Sequence, residues 1–173
     1  MWKVSNMISK RSFCFTLGLT LLLSFSFLSA DEPVATIDKK VSSLKCFIMK
    51  TRPVAGKKIV EYKDAKLYVC CSACVSRVKK YPEKYEGKAN HQLVYTGQYK
   101  QTLCPITGSE LTDDSPKFKV DGGVLGAVEV HVASAKEVAS LKAMEIDDQI
   151  NALFGTAAFK KGKFVKVKKD KKG

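Results

Sequence analysis

The chain has 173 residues and a formal net charge of +13, a length that suits one domain or two small ones. Most of the excess positive charge is lysine, and no stripe of alternating basic and aromatic residues is present, so the composition argues against a nucleic-acid-binding protein. Eight lysines fall within residues 159–173. We interpret this segment as a solvated tail, or as one that contacts an anionic envelope surface.

Residues 1–30 have the pattern of a secretory signal peptide. A basic start precedes a mostly apolar run over residues 13–28, and Leu28-Ser29-Ala30 offers a cleavage site. The run is shorter and more polar than a comfortable membrane span, so we expect cleavage and export to the periplasm or the extracellular space. Thiols in such compartments tend to pair unless a metal ion holds them. Five cysteines would remain, and this odd number argues against a complete disulfide framework.

The first half of the exported chain is predicted to contain one hairpin and one helix. Residues 31–45 have the composition of a polar linker. The alternating pattern of residues 57–69 predicts two strands joined by a turn at residues 63–66. Apolar residues then recur at three-residue steps, which is typical of one helix face, until Pro82 ends this helix or starts a short turn. We expect a polar break over residues 87–90, followed by new strands.

The second half is predicted to repeat this order. A turn over residues 104–108 precedes a glycine-turned hairpin over residues 118–132. Ser134 and Glu137 have the spacing of a capping box, in which each side chain bonds the other residue's backbone N–H at a helix start. A further helix over residues 147–154 should end at the glycine that follows it.

The strongest chemical signal is the Cys70-Cys71-x-x-Cys74 cluster, which holds three thiols in five residues. A strand that ends at Cys70 and a helix that starts near Ser72 would bring thiols to a helix N-terminus, where the partial positive charge favours the thiolate. Cys46 on a distant turn would supply a further ligand, since tetrahedral zinc sites draw on two separated loops. Thiolate-rich sites favour copper(I) or zinc over hard cations.

Adjacent cysteines in an extended chain point to opposite sides, so Cys70 and Cys71 need not bind the same ion. We therefore expect Cys46, Cys71 and Cys74 to be metal ligands, with Cys70 as the fourth. Two other interpretations of the cluster stay open. In the first, Cys71 and Cys74 have the spacing of a redox pair at a helix start. In the second, Cys46 forms a plain disulfide with one cysteine of the cluster.

The arrangement resembles the YHS/TRASH heavy-metal-binding domain. The resemblance rests on Tyr62-x5-Tyr68-x-Cys-Cys-x-x-Cys74, on Tyr81-Pro-x-Lys-Tyr85 after the helix, and on Cys46 in the position of the family's front cysteine. It implies small zinc-finger-like α+β modules, and proteins that bind, traffic or sense transition metals. In this chain, residues 46–90 would form the intact module.

Residues 91–158 resemble a degenerate second copy of that module in tandem. Cys104-Pro-x-x-Gly108 retains the family's front motif, but His131 stands where the first copy has Cys70. The two copies are offset by roughly 60 residues, and units of this size bury little hydrophobic core alone. We interpret the second module as mainly structural, with Cys104 and His131 as weaker candidate ligands. The other histidine, His91, is expected in a solvated loop.

These observations predict an exported protein that binds a transition metal ion, zinc or copper(I), for storage, delivery or resistance. A protein partner would receive or donate the ion. Neither histidine has a catalytic motif around it, so we do not expect an enzyme. The alternatives are a structural-zinc module that mediates protein–protein contact and a thiol–disulfide oxidoreductase that uses Cys71 and Cys74.

Overall fold

A computed structural model describes residues 35–168. The predicted signal peptide and the last lysines, residues 169–173, lie outside the described residues. The helices are α1 (Ala35–Ser42), α2 (Ser72–Lys80), α3 (Pro82–Tyr95), α4 (Ala135–Lys142), α5 (Ile146–Phe154) and α6 (Thr156–Lys161). The strands are β1 (Ile59–Tyr62), β2 (Ala65–Tyr68), β3 (Tyr99–Lys100), β4 (Lys117–Asp121), β5 (Ala127–His131) and β6 (Val165–Lys166). Short helices with three antiparallel strand pairs confirm the predicted α+β class.

The hairpins expected from the alternating patterns are both present. β1 pairs with β2 through a turn in which Lys63 and Asp64 have positive φ angles of 49° and 57°. β4 pairs with β5, and Val120 lies opposite Val128. Buried and exposed residues alternate along β4 and β5, so one face of this hairpin packs on the core.

Helix α3 replaces the polar break and the new strands that were expected over residues 87–95, and that prediction is wrong. Pro82 occupies the start of the helix, where its missing N–H has no intrahelical partner to lose. Gly87 lies inside the helix, and a Cβ at this position would approach the Oδ1 atom of Asn151 to 2.6 Å. This glycine therefore permits close approach of α3 to α5 and does not break the helix.

Three consecutive polar residues of α3, Asn90, His91 and Gln92, are completely buried. The Asn90 side-chain amide donates to the carbonyl oxygen of Phe154 at 2.7 Å. The ring of His91 meets the Phe154 ring edge-on, with centroids 4.9 Å apart. The prediction of a solvated His91 is therefore wrong, because α3 is covered by contacts with α2, α5, α6, β2 and β5.

Both ends of the described chain are more ordered than the sequence suggested. The predicted linker contains α1, and Leu44 just after it is buried. In the predicted lysine tail, Phe159 and Phe164 are buried and stack with centroids 4.5 Å apart. β6 then pairs with β3. The lysine-rich segment thus contributes aromatic side chains to the core before its remaining lysines reach the surface.

Buried side chains from both predicted modules belong to one hydrophobic cluster, which runs in sequence from Cys46 to Phe164. Cys74 and Cys104 are also members of this cluster. Cys46 and Cys74 of the predicted metal site are thus part of the core, and Cys70 and Cys71 pack against it. In the part of the chain that the structure describes, no helix is both long enough and apolar enough to cross a bilayer.

Candidate metal centre

Cys46 lies at the start of a tight turn that is closed at its base. Lys45 and Pro53 form an isolated antiparallel bridge, and the Cys46 N–H donates to the carbonyl oxygen of Arg52 at 2.8 Å. Inside the turn, Lys50 takes a positive φ of 37°. Such a turn fixes the backbone position of Cys46, because both chain ends are tied to each other.

The turn also provides hydrogen bonds to the Cys46 sulfur. Burial by itself raises the pKa of this thiol, but hydrogen bonds from the backbone of Met49 and Ile48 outweigh burial and hold the pKa below its ordinary value. Backbone N–H groups that point at a sulfur stabilise the thiolate, the form that binds metal ions. The turn that contains Cys46 therefore favours the thiolate form of this residue, which is the form that binds a metal ion.

Cys70 is brought to Cys46 by the segment between the turn and β1. The N–H of Ala55 donates to the carbonyl oxygen of Val69 at 3.0 Å, and the N–H of Val69 donates to the carbonyl oxygen of Lys58 at 3.0 Å. These two bonds extend the β1–β2 hairpin to the residue before Cys70. The chain that leaves the Cys46 turn is thus bound alongside the chain that carries Cys70.

Gln92 of α3 fixes the end of β2 from the other side. Its side-chain oxygen accepts from the Tyr68 N–H at 2.7 Å, and its side-chain nitrogen donates to the Tyr68 carbonyl oxygen at 3.0 Å. The buried amide therefore pairs with a strand residue as a neighbouring strand would. Sequence reasoning missed this positioning residue, since a glutamine within an expected strand has no local feature that reveals a contact with Tyr68.

The other two cysteines of the cluster lie at the first turn of α2. Cys71 is the N-cap, in an extended conformation with φ −156° and ψ 167°. Cys74 follows one turn later and its side chain is buried. The Sγ atoms of Cys71 and Cys74 are 3.4 Å apart. The strand-to-helix transition that the sequence predicted here is therefore present, and it concentrates thiols at the N-terminus of α2.

The sulfurs of Cys46, Cys70 and Cys74 all lie within 4.8 Å of one another. The Sγ atoms of Cys70 and Cys74 are 3.7 Å apart. Tetrahedral zinc with Zn–S bonds of about 2.3 Å places its thiolates about 3.8 Å apart. Among residues 35–168, this is the one group of three or more potential metal-ligating side chains. The donor set fits a small thiophilic ion after slight contraction.

Cys71 lies outside this set of mutually close sulfurs, although it contacts Cys74. The two adjacent cysteines therefore differ: Cys70 belongs to the group of three sulfurs that includes Cys46, and Cys71 does not. Both have partly exposed side chains, whereas Cys46 and Cys74 are buried. The cluster thus has a closed inner side and an accessible outer side.

The four thiols also differ in acidity. Burial and the neighbouring sulfurs raise the pKa of Cys74, and burial with a hydrogen bond to Cys46 raises the pKa of Cys70. A hydrogen bond from the Cys74 backbone lowers the pKa of Cys71. Since a metal ligand must be deprotonated, binding at Cys70 and Cys74 has to release protons, which makes the affinity of the site depend on pH.

The weaker candidate ligands, Cys104 and His131, do not join a group of three ligands within the described residues. The Cys104 sulfur is buried and lies 3.9 Å from both carboxylate oxygens of Glu137. Glu137 in turn completes the predicted capping box with Ser134. The backbone of His131 pairs with the side-chain amide of Gln101. These contacts connect β5 and α4 to neighbouring loops.

In comparisons with known proteins, no family model, no curated protein and no solved structure matches the chain. The function of the protein is therefore inferred from the geometry of the site. The five described cysteines are free thiols in the structure, and three of them form the group that could hold a metal ion.

Proposed function

We propose that the protein binds one zinc or copper(I) ion through Cys46, Cys70 and Cys74, for storage, delivery or resistance and without catalysis. The observation that carries this proposal is the approach of three sulfurs to within 4.8 Å of one another. They come from a turn, a strand end and a helix start, so their proximity is a product of the fold. Soft thiolate ligands favour these two ions over hard cations.

The partial exposure of the site supports exchange of the ion with a partner. Cys46 and Cys74 are buried, but Cys70 is partly exposed. Three thiolates leave one position of a tetrahedral zinc ion for water or for a ligand from an acceptor protein, as in zinc sites with an open position. An acceptor would approach from the side of Cys70.

We also propose that residues 46–90 are a module of the YHS/TRASH kind. The order of a cysteine turn, a hairpin, a Cys-Cys-x-x-Cys cluster and a helix supports this proposal. Export would place the module in the periplasm or outside the cell. There the surface lysines would provide electrostatic contact with an anionic envelope.

The test is metal analysis of protein purified without oxygen, with a count of free thiols. We expect stoichiometric zinc or copper in the wild type and loss of the ion in Cys74→Ser. Cys104→Ser is the matched control, because Cys104 is as buried as Cys74 but lies outside the group of three sulfurs. Equal metal content in both variants would contradict the proposal.

Chelation separates delivery from a structural role for the ion. A delivery site should yield its ion to a modest chelator while the far-ultraviolet circular dichroism spectrum is unchanged. A structural zinc module for protein–protein contact should unfold when stripped, because its binding free energy is part of the folding free energy. The one large hydrophobic cluster around the site favours delivery, since the core does not consist of the metal centre alone.

A second candidate function, thiol–disulfide exchange, is favoured by one observation. Cys71 and Cys74 have sulfurs 3.4 Å apart at a helix start, with the first partly exposed and the second buried. This is the arrangement of an attacking and a resolving cysteine. Turnover of a disulfide substrate by metal-free protein, and its loss in Cys71→Ser, would support this function over metal binding.

A further inference from the structure

Cys71 is an accessible thiol in contact with a buried member of the metal-binding group. Its side chain is partly exposed at the N-cap of α2, whereas Cys74 is only 1% exposed. The two sulfurs are 3.4 Å apart, yet Cys71 is not one of the three mutually close sulfurs. A thiol that is not a ligand therefore touches one that is.

We propose that Cys71 makes the metal centre a redox-controlled release site. Oxidation joins Cys71 to Cys74 as a disulfide, which withdraws Cys74 from the group and leaves the ion with Cys46 and Cys70. Two thiolates hold a metal ion weakly, so the ion leaves. This inference rests on the proposed metal-binding function and assigns that site its regulation.

The oxidant is a peroxide, and the step balances with hydrogen peroxide. The Cys71 thiolate attacks one peroxide oxygen, the O–O bond breaks, and a sulfenic acid and hydroxide form. The Cys74 thiolate then attacks the Cys71 sulfur; the S–S bond forms, the S–O bond breaks, and a second hydroxide leaves. Two thiolates lose two electrons in total, and one peroxide is reduced. Two equivalents of a small thiol restore both cysteines and become a disulfide.

Exposure and position favour Cys71 as the point of attack. Cys46 and Cys74 are buried, so a peroxide in solution does not reach them directly. Cys70 is partly exposed, but a bound ion occupies its sulfur in the loaded protein. Cys71 is one helical turn from Cys74, and their sulfurs are already in contact, so the disulfide requires only local side-chain rotation.

The experiment compares the wild type with two single variants, each incubated with zinc under anaerobic conditions, assayed for bound zinc, and then exposed to hydrogen peroxide. A zinc indicator follows release, and peptide mass spectrometry locates the disulfide. In Cys71→Ser, zinc should bind with the same stoichiometry but leave about tenfold more slowly, because the thiol that reacts with peroxide and closes the disulfide is gone. Serine is a favoured N-cap residue, so this variant should keep α2 intact.

The matched variant Cys70→Ser should behave in the opposite way. It loses zinc, because a ligand is gone, but it still forms the disulfide between Cys71 and Cys74. Release from Cys71→Ser at the wild-type rate, loss of zinc binding by that variant, or a disulfide at another pair would overturn redox control while metal binding by the wild type stands. Failure of the unoxidised wild type to bind zinc would overturn the proposed function and the inference with it.

Discussion

We predict that the burial of His91 makes the stability of the folded protein depend on pH. Its side chain is completely buried against Phe154, and neither ring nitrogen has a hydrogen-bond partner among the described residues. Burial lowers the pKa of His91 to about 4, from an ordinary value of 6.5. The folded protein therefore holds the neutral imidazole, and the unfolded chain binds a proton more readily.

The sign and size of the effect follow from linkage between proton binding and folding. Above pH 6.5 both states hold neutral His91, and its contribution to stability is fully present. As the pH falls below 6.5 the unfolded state gains a proton that the folded state lacks, so the free energy of unfolding decreases by about 1.4 kcal/mol per pH unit. The decrease ends near pH 4, where folded His91 is protonated as well, after a total loss of about 3 kcal/mol.

Glu86 does not obscure this interval. Burial raises the pKa of Glu86, but hydrogen bonds from Thr156 and Lys63 outweigh burial and hold the pKa below its ordinary value of 4.5. The stability that Glu86 contributes is present above pH 4.5 and is lost below it. The contribution of Glu86 therefore lies outside the range between pH 6.5 and 4.5, in which His91 acts.

The assay is urea unfolding of the wild type and of His91→Leu at a series of pH values, with equal metal loading so that the thiols cancel in the difference. The variant should be more stable at pH 7 by about 1–3 kcal/mol, because two buried unpaired nitrogens are removed. Its advantage should grow by about 2.5 kcal/mol towards pH 4.5. His131→Asn, which alters the partly exposed histidine, is the control. Parallel pH curves for the wild type and His91→Leu would refute the reasoning.

Further predictions concern residues that position the site or strain the backbone. Gln92→Ala should cost about 2–3 kcal/mol in urea unfolding, since it removes two hydrogen bonds to Tyr68 and leaves a small cavity; chelator competition should show weaker zinc binding in parallel. Gly126→Ala should cost about 2–4 kcal/mol in thermal unfolding, because φ is +79° and a Cβ would lie 2.2 Å from the ring of Tyr95. Ser134→Ala should cost about 1 kcal/mol through loss of the α4 cap, as measured by urea unfolding.

Local patterns were sufficient for those elements that expose one face to water. The two hairpins, the helix after the cysteine cluster and the capping box at Ser134 are all present, as is the end of α5 at Gly155. In each of these, alternation, helical spacing or a capping residue reports directly on the local backbone. The α+β class follows from such elements alone.

Helix α3 was not predictable by the same means because its apolar pattern is interrupted. Asn90, His91 and Gln92 are polar, yet all three are buried. Prediction from hydrophobic periodicity assumes that polar residues are exposed, so it fails here. By local propensity Gly87 favours a break in the helix, but its role depends on Asn151, which is distant in the chain. Long-range contacts thus override the local signals of this segment.

In the cysteine cluster, too, the sequence predicts one part of the arrangement and long-range contacts decide the rest. The ligand chemistry of zinc sites and the family resemblance were enough to include Cys46 among the candidates with Cys70, Cys71 and Cys74. They were not enough to determine which of the adjacent pair approaches Cys46, because that depends on where β2 ends and α2 begins. In the structure, Gln92 holds Tyr68 in the strand, and Cys71 becomes the N-cap. The candidate ligand Cys70 and the candidate redox partner Cys71 are therefore adjacent in the chain. The contact between Gln92 and Tyr68, which sets the boundary between β2 and α2, lies outside the motif.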